Sequence, residues 1–196
     1  MIQFRALLTC LAFAALGACL PVTSKVPVGT TMGFRQDQAL LGTWRAQAEK
    51  DDKPAYVHIL ANDDQTMSAV VISPPEDKNG GDWSVYRLQA ATLGSNRVLN
   101  VQEQFANGKP SEGPLASEHI ILLYRASGPG RITLYQMDDK ALAAAIRAGE
   151  IAGEIEPGES GDVRLTAEAG ALDKFMSTPR AAALFSKALV TLTRIP

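Results

Sequence analysis

The sequence predicts an α+β domain, mainly antiparallel β, with two or three short helices inserted near the C-terminus. Two observations carry this. From Ala39 onward, short runs rich in β-branched and aromatic residues alternate with turn clusters such as "NDDQ", "LGSN" and "SGPG", the pattern of strands joined by hairpins. After Met137 the spacing of apolar residues changes from two to that of a helix, so helices enter late in a chain that is otherwise built of strands.

Taken in order, the expected strands cover residues 43–48, 55–61, 66–73, 83–92, 97–104, 118–125 and 131–137. Val57 and Ile59 share one face of their strand, while Ile132 and Leu134 oppose Thr133 and Tyr135. The run "HIILLY" from His119 to Tyr124 is apolar on both faces, as expected of a strand in the middle of a sheet or beneath a helix. A helix follows over 138–149: Asp138 and Asp139 supply the N-terminal carboxylates, Leu142, Ala145 and Ile146 form one stripe, and Gly149 ends it. Residues 162–166 read as a short strand, and 169–176 as a second helix burying Leu172, Phe175 and Met176. "RAAALF" after Pro179 adds another helical turn. Leu189–Ile195, with alternating threonines, is expected to close the sheet.

The first eighteen residues have a different character. Met1–Arg5 carries one positive charge, and Ala6–Ala15 is a short apolar run of secretory type. At its end stand Leu16, Gly17, Ala18 and Cys19, an aliphatic residue, two small residues and a cysteine. This resembles the bacterial lipoprotein signal. A thiolate alkylates readily, and the resemblance implies a thioether to diacylglycerol at Cys19, cleavage before it, and acylation of the new amino group by chains such as palmitate. One acyl chain binds a bilayer only marginally, whereas two or three make a lasting anchor. Leu20, where an aspartate would resemble an inner-membrane retention signal, points to the outer membrane and its periplasmic face. The resulting organisation is a signal peptide over 1–18, a lipidated Cys19 with a flexible tether to residue 38, and one β-rich domain over 39–196. Cys10 leaves with the signal, so the mature domain has no thiol for a disulfide.

Gly42 and Trp44 in "ALLGTWRA", opening the first strand of a meander, resemble the start of lipocalin-like barrels. The resemblance covers roughly residues 39–137. It implies a lipocalin-like barrel or a strongly curved sheet, with Trp44 plugging one end. It also implies a small apolar ligand in a cavity lined by Trp44, Tyr56 and Tyr86.

Recognisable chemistry is sparse. A formal net charge of −2 with scattered Lys and Arg provides no field for nucleic acid. His58 and His119 are the only histidines, each inside an apolar strand without a second ligand at metal-site spacing. Ser117, Glu118 and His119 are chain neighbours, but successive residues of a strand point to opposite faces and cannot assemble a triad. "PPEDKNGGDW" lacks the ligand order of a calcium loop, and the acidic stretch from Gly149 to Asp162 reads as a solvated loop. No catalytic set, metal site or cofactor is expected. The expectation is a lipid-anchored, non-catalytic envelope protein that binds another envelope component. The alternatives are a lipocalin-like binder of a small apolar ligand, and a hydrolase or isomerase using a histidine with distant carboxylates.

Overall fold

A computed structural model of the chain describes residues 21–47, 53–74, 81–156 and 162–196. The early strands are β1 (Thr23–Ser24), β2 (Gly42–Gln47), β3 (Ala55–Ala61), β4 (Met67–Ile72), β5 (Trp83–Leu93), β6 (Asn96–Ala106) and β7 (Lys109–Pro110). A single helical turn, α1 (Pro114–Ser117), leads into β8 (His119–Gly128) and β9 (Arg131–Gln136). Then come α2 (Asp139–Arg147), β10 (Gly153–Ile155), β11 (Val163–Leu165), α3 (Ala169–Met176), α4 (Pro179–Leu184) and β12 (Lys187–Arg194).

Eight strands close into an antiparallel lipocalin-like barrel in the order β2-β3-β4-β5-β6-β8-β9-β12. Two pairings complete the ring: β12 lies between β9 and β2, and β6 bonds to β8 through Val98–Leu123 and Val101–Ile120. A closed ring leaves no bare sheet edge along the barrel, which removes the main route to edge-to-edge aggregation. Turn chemistry matches the hairpins it serves. Asn107 and Gly108 both have positive φ, 49° and 78°, as the tight "NG" turn between β6 and β7 requires.

Side-chain alternation sends one set of residues into the barrel and the other outward. Trp44, Ile59, Met67, Leu88, Leu122, Leu134 and Leu192 belong to the inner core. A second core lies outside, where Val98, Ile121 and Leu123 meet Leu142, Leu172 and Leu184 from the helices. The two-faced "HIILLY" run is thereby explained. Leu122 and Tyr124 fill the barrel while Ile121 and Leu123 sit under the helical layer, so both faces of β8 are buried.

The late helices form where the spacing put them. Asp138 caps α2 by accepting from the Ala141 N–H at 2.8 Å, and Gly149 takes φ 72° just after it, each satisfying groups that a helix end leaves open. Thr178 caps α4 in the same way through the Ala181 N–H at 3.1 Å.

Two segments depart from the sequence reading. Residues expected to form an extended tether are packed against the barrel from Pro21 onward: β1 bonds to β8 and β11, and Val22 and Val28 are buried in the outer core. Polar partners hold this arm. Val28 exchanges two backbone hydrogen bonds with the Asn100 side chain, at 2.7 and 2.8 Å. The buried Asp173 carboxylate accepts from Gly29 N–H, Thr31 N–H and the Thr31 hydroxyl at 2.5–2.8 Å. The absence of hydrophobic periodicity in this stretch reflects side chain-to-backbone anchoring in place of an amphipathic element. The acidic stretch read as a loop also contributes structure, for Gly153–Ile155 pair with β11 and Glu154 reaches Lys25 and Arg164 at 3.8 and 3.4 Å.

Candidate functional site

Trp44 is 1% exposed and closes one end of the barrel, donating its indole N–H to Leu40 O at 2.7 Å. Arg194, the last residue of β12, lies over the indole with its guanidinium carbon 4.2 Å from the ring centroid. Its two terminal nitrogens donate to Leu41 O and Ala39 O at 2.6 and 2.7 Å. Cation–π attraction and two directed hydrogen bonds thus join the first and last strands of the ring over the plug.

The interior beyond the plug is nearly full. The free space enclosed by Val57, Ala69, Tyr86, Leu99, Leu134 and their neighbours amounts to about 60 Å³, far below the roughly 300–1,000 Å³ of small-molecule sites. Tyr86 faces this space, whereas Trp44 is consumed in closing the end and Tyr56 points outward into solvent. The three residues expected to line one ligand cavity are therefore split between three places. Tyr56 was legible as outward from its own strand, because Val57 and Ile59 alternate with it and take the inner face. Glu103, paired in register with Tyr86, is a buried carboxylate at the barrel's other end, 4% exposed. Sequence reasoning did not single it out; an acid at an inward position of the β6 alternation was the available signal.

The outer wall of β3, β4, β5 and the adjoining end of β6 carries most of the large exposed apolar side chains of the described residues. Tyr56 pairs with Ile72, and Ile72 with Trp83, so these three form a row straight across the strands. The next row runs His58, Val70, Val85 and Phe105. Tyr56, Leu60, Ile72, Trp83 and Phe105 are each 42–53% exposed. Isolated exposed apolar residues are ordinary, but adjacent rows of them make a patch.

The remaining candidates stand on different strands. His58 sits exposed within that wall, with Nδ1 2.8 Å from Thr43 Oγ1. Glu118 accepts from Thr23 Oγ1 at 2.6 Å and Arg164 at 3.0 Å, tying β8 to β1 and β11. His119 is partly buried beside it, and desolvation lowers its pKa against the weaker opposing pull of Glu118. Among the described residues no group of three His, Cys, Asp or Glu is placed to hold a metal ion, and no helix is long and apolar enough to cross a membrane. Cys19 and the leader lie outside the described residues.

Fold and surfaces together define a class: a closed lipocalin-like β-barrel with a filled interior, one side covered by helices and the opposite side, among the described residues, exposing rows of apolar side chains. Comparison with protein-family models, with curated proteins and with solved structures found no match to this chain.

Proposed function

We propose that the protein is a lipid-anchored envelope protein, held through Cys19, whose barrel is a non-catalytic docking module that engages a protein partner through the β3–β4–β5 wall. The observation that carries this reading is the contiguous exposed row Tyr56, Ile72 and Trp83, beside an interior with room for little more than a pair of water molecules. A filled barrel binds with its outside. Aromatic residues on a flat apolar surface are what protein partners use as anchors.

The position of the anchor supports a protein occupant over a lipid one. Only Leu20 and Pro21 separate Cys19 from the buried Val22, and three residues reach about 10 Å. The arm joins the barrel at β8. In the eight-strand ring β8 stands opposite β3, and β9 opposite β4. A lipid at Cys19 therefore holds the helical side toward the bilayer and turns the apolar wall away from it.

The test has two arms in intact cells. Cys19→Ser moves the protein to the soluble fraction and removes lipid from its mass; a variant that stays in the membrane with wild-type mass overturns the anchor. A photo-crosslinking side chain at Ile72 captures a discrete protein, and one at Lys140 on the helical side does not. Capture of lipid at Ile72, or equal capture at both positions, overturns the docking wall.

A further inference from the structure

A second feature, separate from the wall, lies at the plugged end. The arm arches from Gly29 to Asp37 over the end of β5, and beneath it is a pocket of about 410 Å³, within the range of small-molecule sites. Ala90 and Thr92, which share one face of β5, line it, and Met32 stands exposed at the rim.

The polar groups around this space are unevenly charged. Asp37 is already engaged: its Oδ2 accepts from the Tyr124 hydroxyl at 2.8 Å and lies 3.6 Å from Arg97 Nη1. Arg97 stays half-exposed, so most of its five donors remain available. Arg35 is positioned by its backbone N–H, which donates to Ala90 O at 3.1 Å, and its side chain forms no ion pair among the described residues. Two arginines thus line the pocket against one aspartate, on a protein whose overall charge is −2.

The arm that carries Arg35 is held in advance. Asp173 and Asn100 grip it at residues 28–31, and the Gln36 side chain donates to Asn62 O and Thr66 O. A ligand entering here does not have to order the loop that binds it, which lowers the cost of association.

We propose that this pocket binds a small organic anion, a carboxylate or phosphate seated between Arg35 and Arg97 with a compact apolar body lying beside Ala90 and Met32. Guanidinium groups present paired donors that match both oxyanions. The volume accounts for an organic body, since a bare inorganic ion leaves most of it empty.

The test uses full-length protein in detergent micelles with phenyl phosphate as the probe, read by backbone amide resonances. Gly33, Ala91 and Arg97 shift saturably, and Arg35→Gln or Arg97→Gln weakens the apparent affinity about tenfold while the dispersed resonances of the barrel persist. Arg97→Lys recovers part of the loss because it restores the charge without the fork. Inorganic phosphate binds more weakly than phenyl phosphate. Absence of a saturable shift, equal affinity in the Gln variants, or equal response to inorganic phosphate overturns the proposal. So does a response confined to vesicles of phosphatidylglycerol, which would make the ligand a lipid headgroup. None of these outcomes bears on the wall, which lies on another face of the barrel.

Discussion

Arg194 shows how much one side chain can hold in this fold. Its charge lies over Trp44 and its two terminal nitrogens reach carbonyls of the segment leading into β2. Lysine keeps the charge but lacks the planar fork, so Arg194→Lys is expected to cost about 1–2 kcal/mol. The urea midpoint measures it, and an unchanged midpoint would show that the clasp contributes nothing. His119 makes stability depend on pH. Burial holds the folded imidazole below its ordinary value, so near and just below pH 6.5 the unfolded chain binds the proton more readily than the folded one. Stability is therefore present above that pH and falls as the pH drops toward the depressed folded pKa. His119→Gln should flatten this part of the stability profile measured by urea titration between neutral and mildly acidic pH. Tyr124 acts at the other extreme: burial, reinforced by its hydrogen bond to Asp37, raises its pKa, keeping the phenol a neutral donor.

At the scale of elements, the arm is the part most dependent on a few contacts. Gly29 has φ 96°, and a Cβ there would lie 2.2 Å from the Ala91 Cβ. Both the backbone conformation and the close approach demand glycine. Asp173 brings α3 to the same turn with three accepted hydrogen bonds. Asp173→Ala leaves buried donors without an acceptor and should cost roughly 2–4 kcal/mol. Amide exchange over residues 22–33 would accelerate far more than over β3 and β4; uniform acceleration would mean that the arm and barrel open together. Gly29→Ala is expected to produce the same local pattern. Glycine and a lone aspartate are weak signals in a sequence, which is why the arm read as a tether. Its stability comes from side chains 72 to 144 residues away.

For the whole molecule, closure depends on the last strand. β12 bonds to β9 on one side and to β2 on the other, and most of the outer core is laid down between β9 and β12. Truncation after residue 186 removes both ladders and opens the barrel along two edges. The expected result is a chain without a cooperative thermal transition, and a truncated protein that melts like the intact one would refute the role assigned to β12. Pairing residues as distant as Trp44 and Arg194 is entropically costly before it is rewarded, so folding is expected to be slow relative to helical proteins of this size. The exposed wall behaves in the opposite way. Ile72→Asp, at a solvent-facing position, should change stability by only about 0.5 kcal/mol while abolishing the capture described for that face.

The sequence by itself determined the mainly antiparallel architecture, the late helices with their caps, and the two-faced burial of β8. Each of these is written in local periodicity and turn chemistry, which act over a few residues. The Gly42 and Trp44 pair also foretold the plugged end. Only the tertiary structure decided that the sheet closes, that the barrel is filled, and that residues 21–37 are packed against it. It alone separated Trp44, Tyr56 and Tyr86, and gathered Arg35, Asp37, Arg97 and Tyr124 around one pocket. Closure, cavity volume and the meeting of distant side chains depend on where strands far apart in the chain come to rest. Alternation along a strand says which residues share a face, but not what that face will meet.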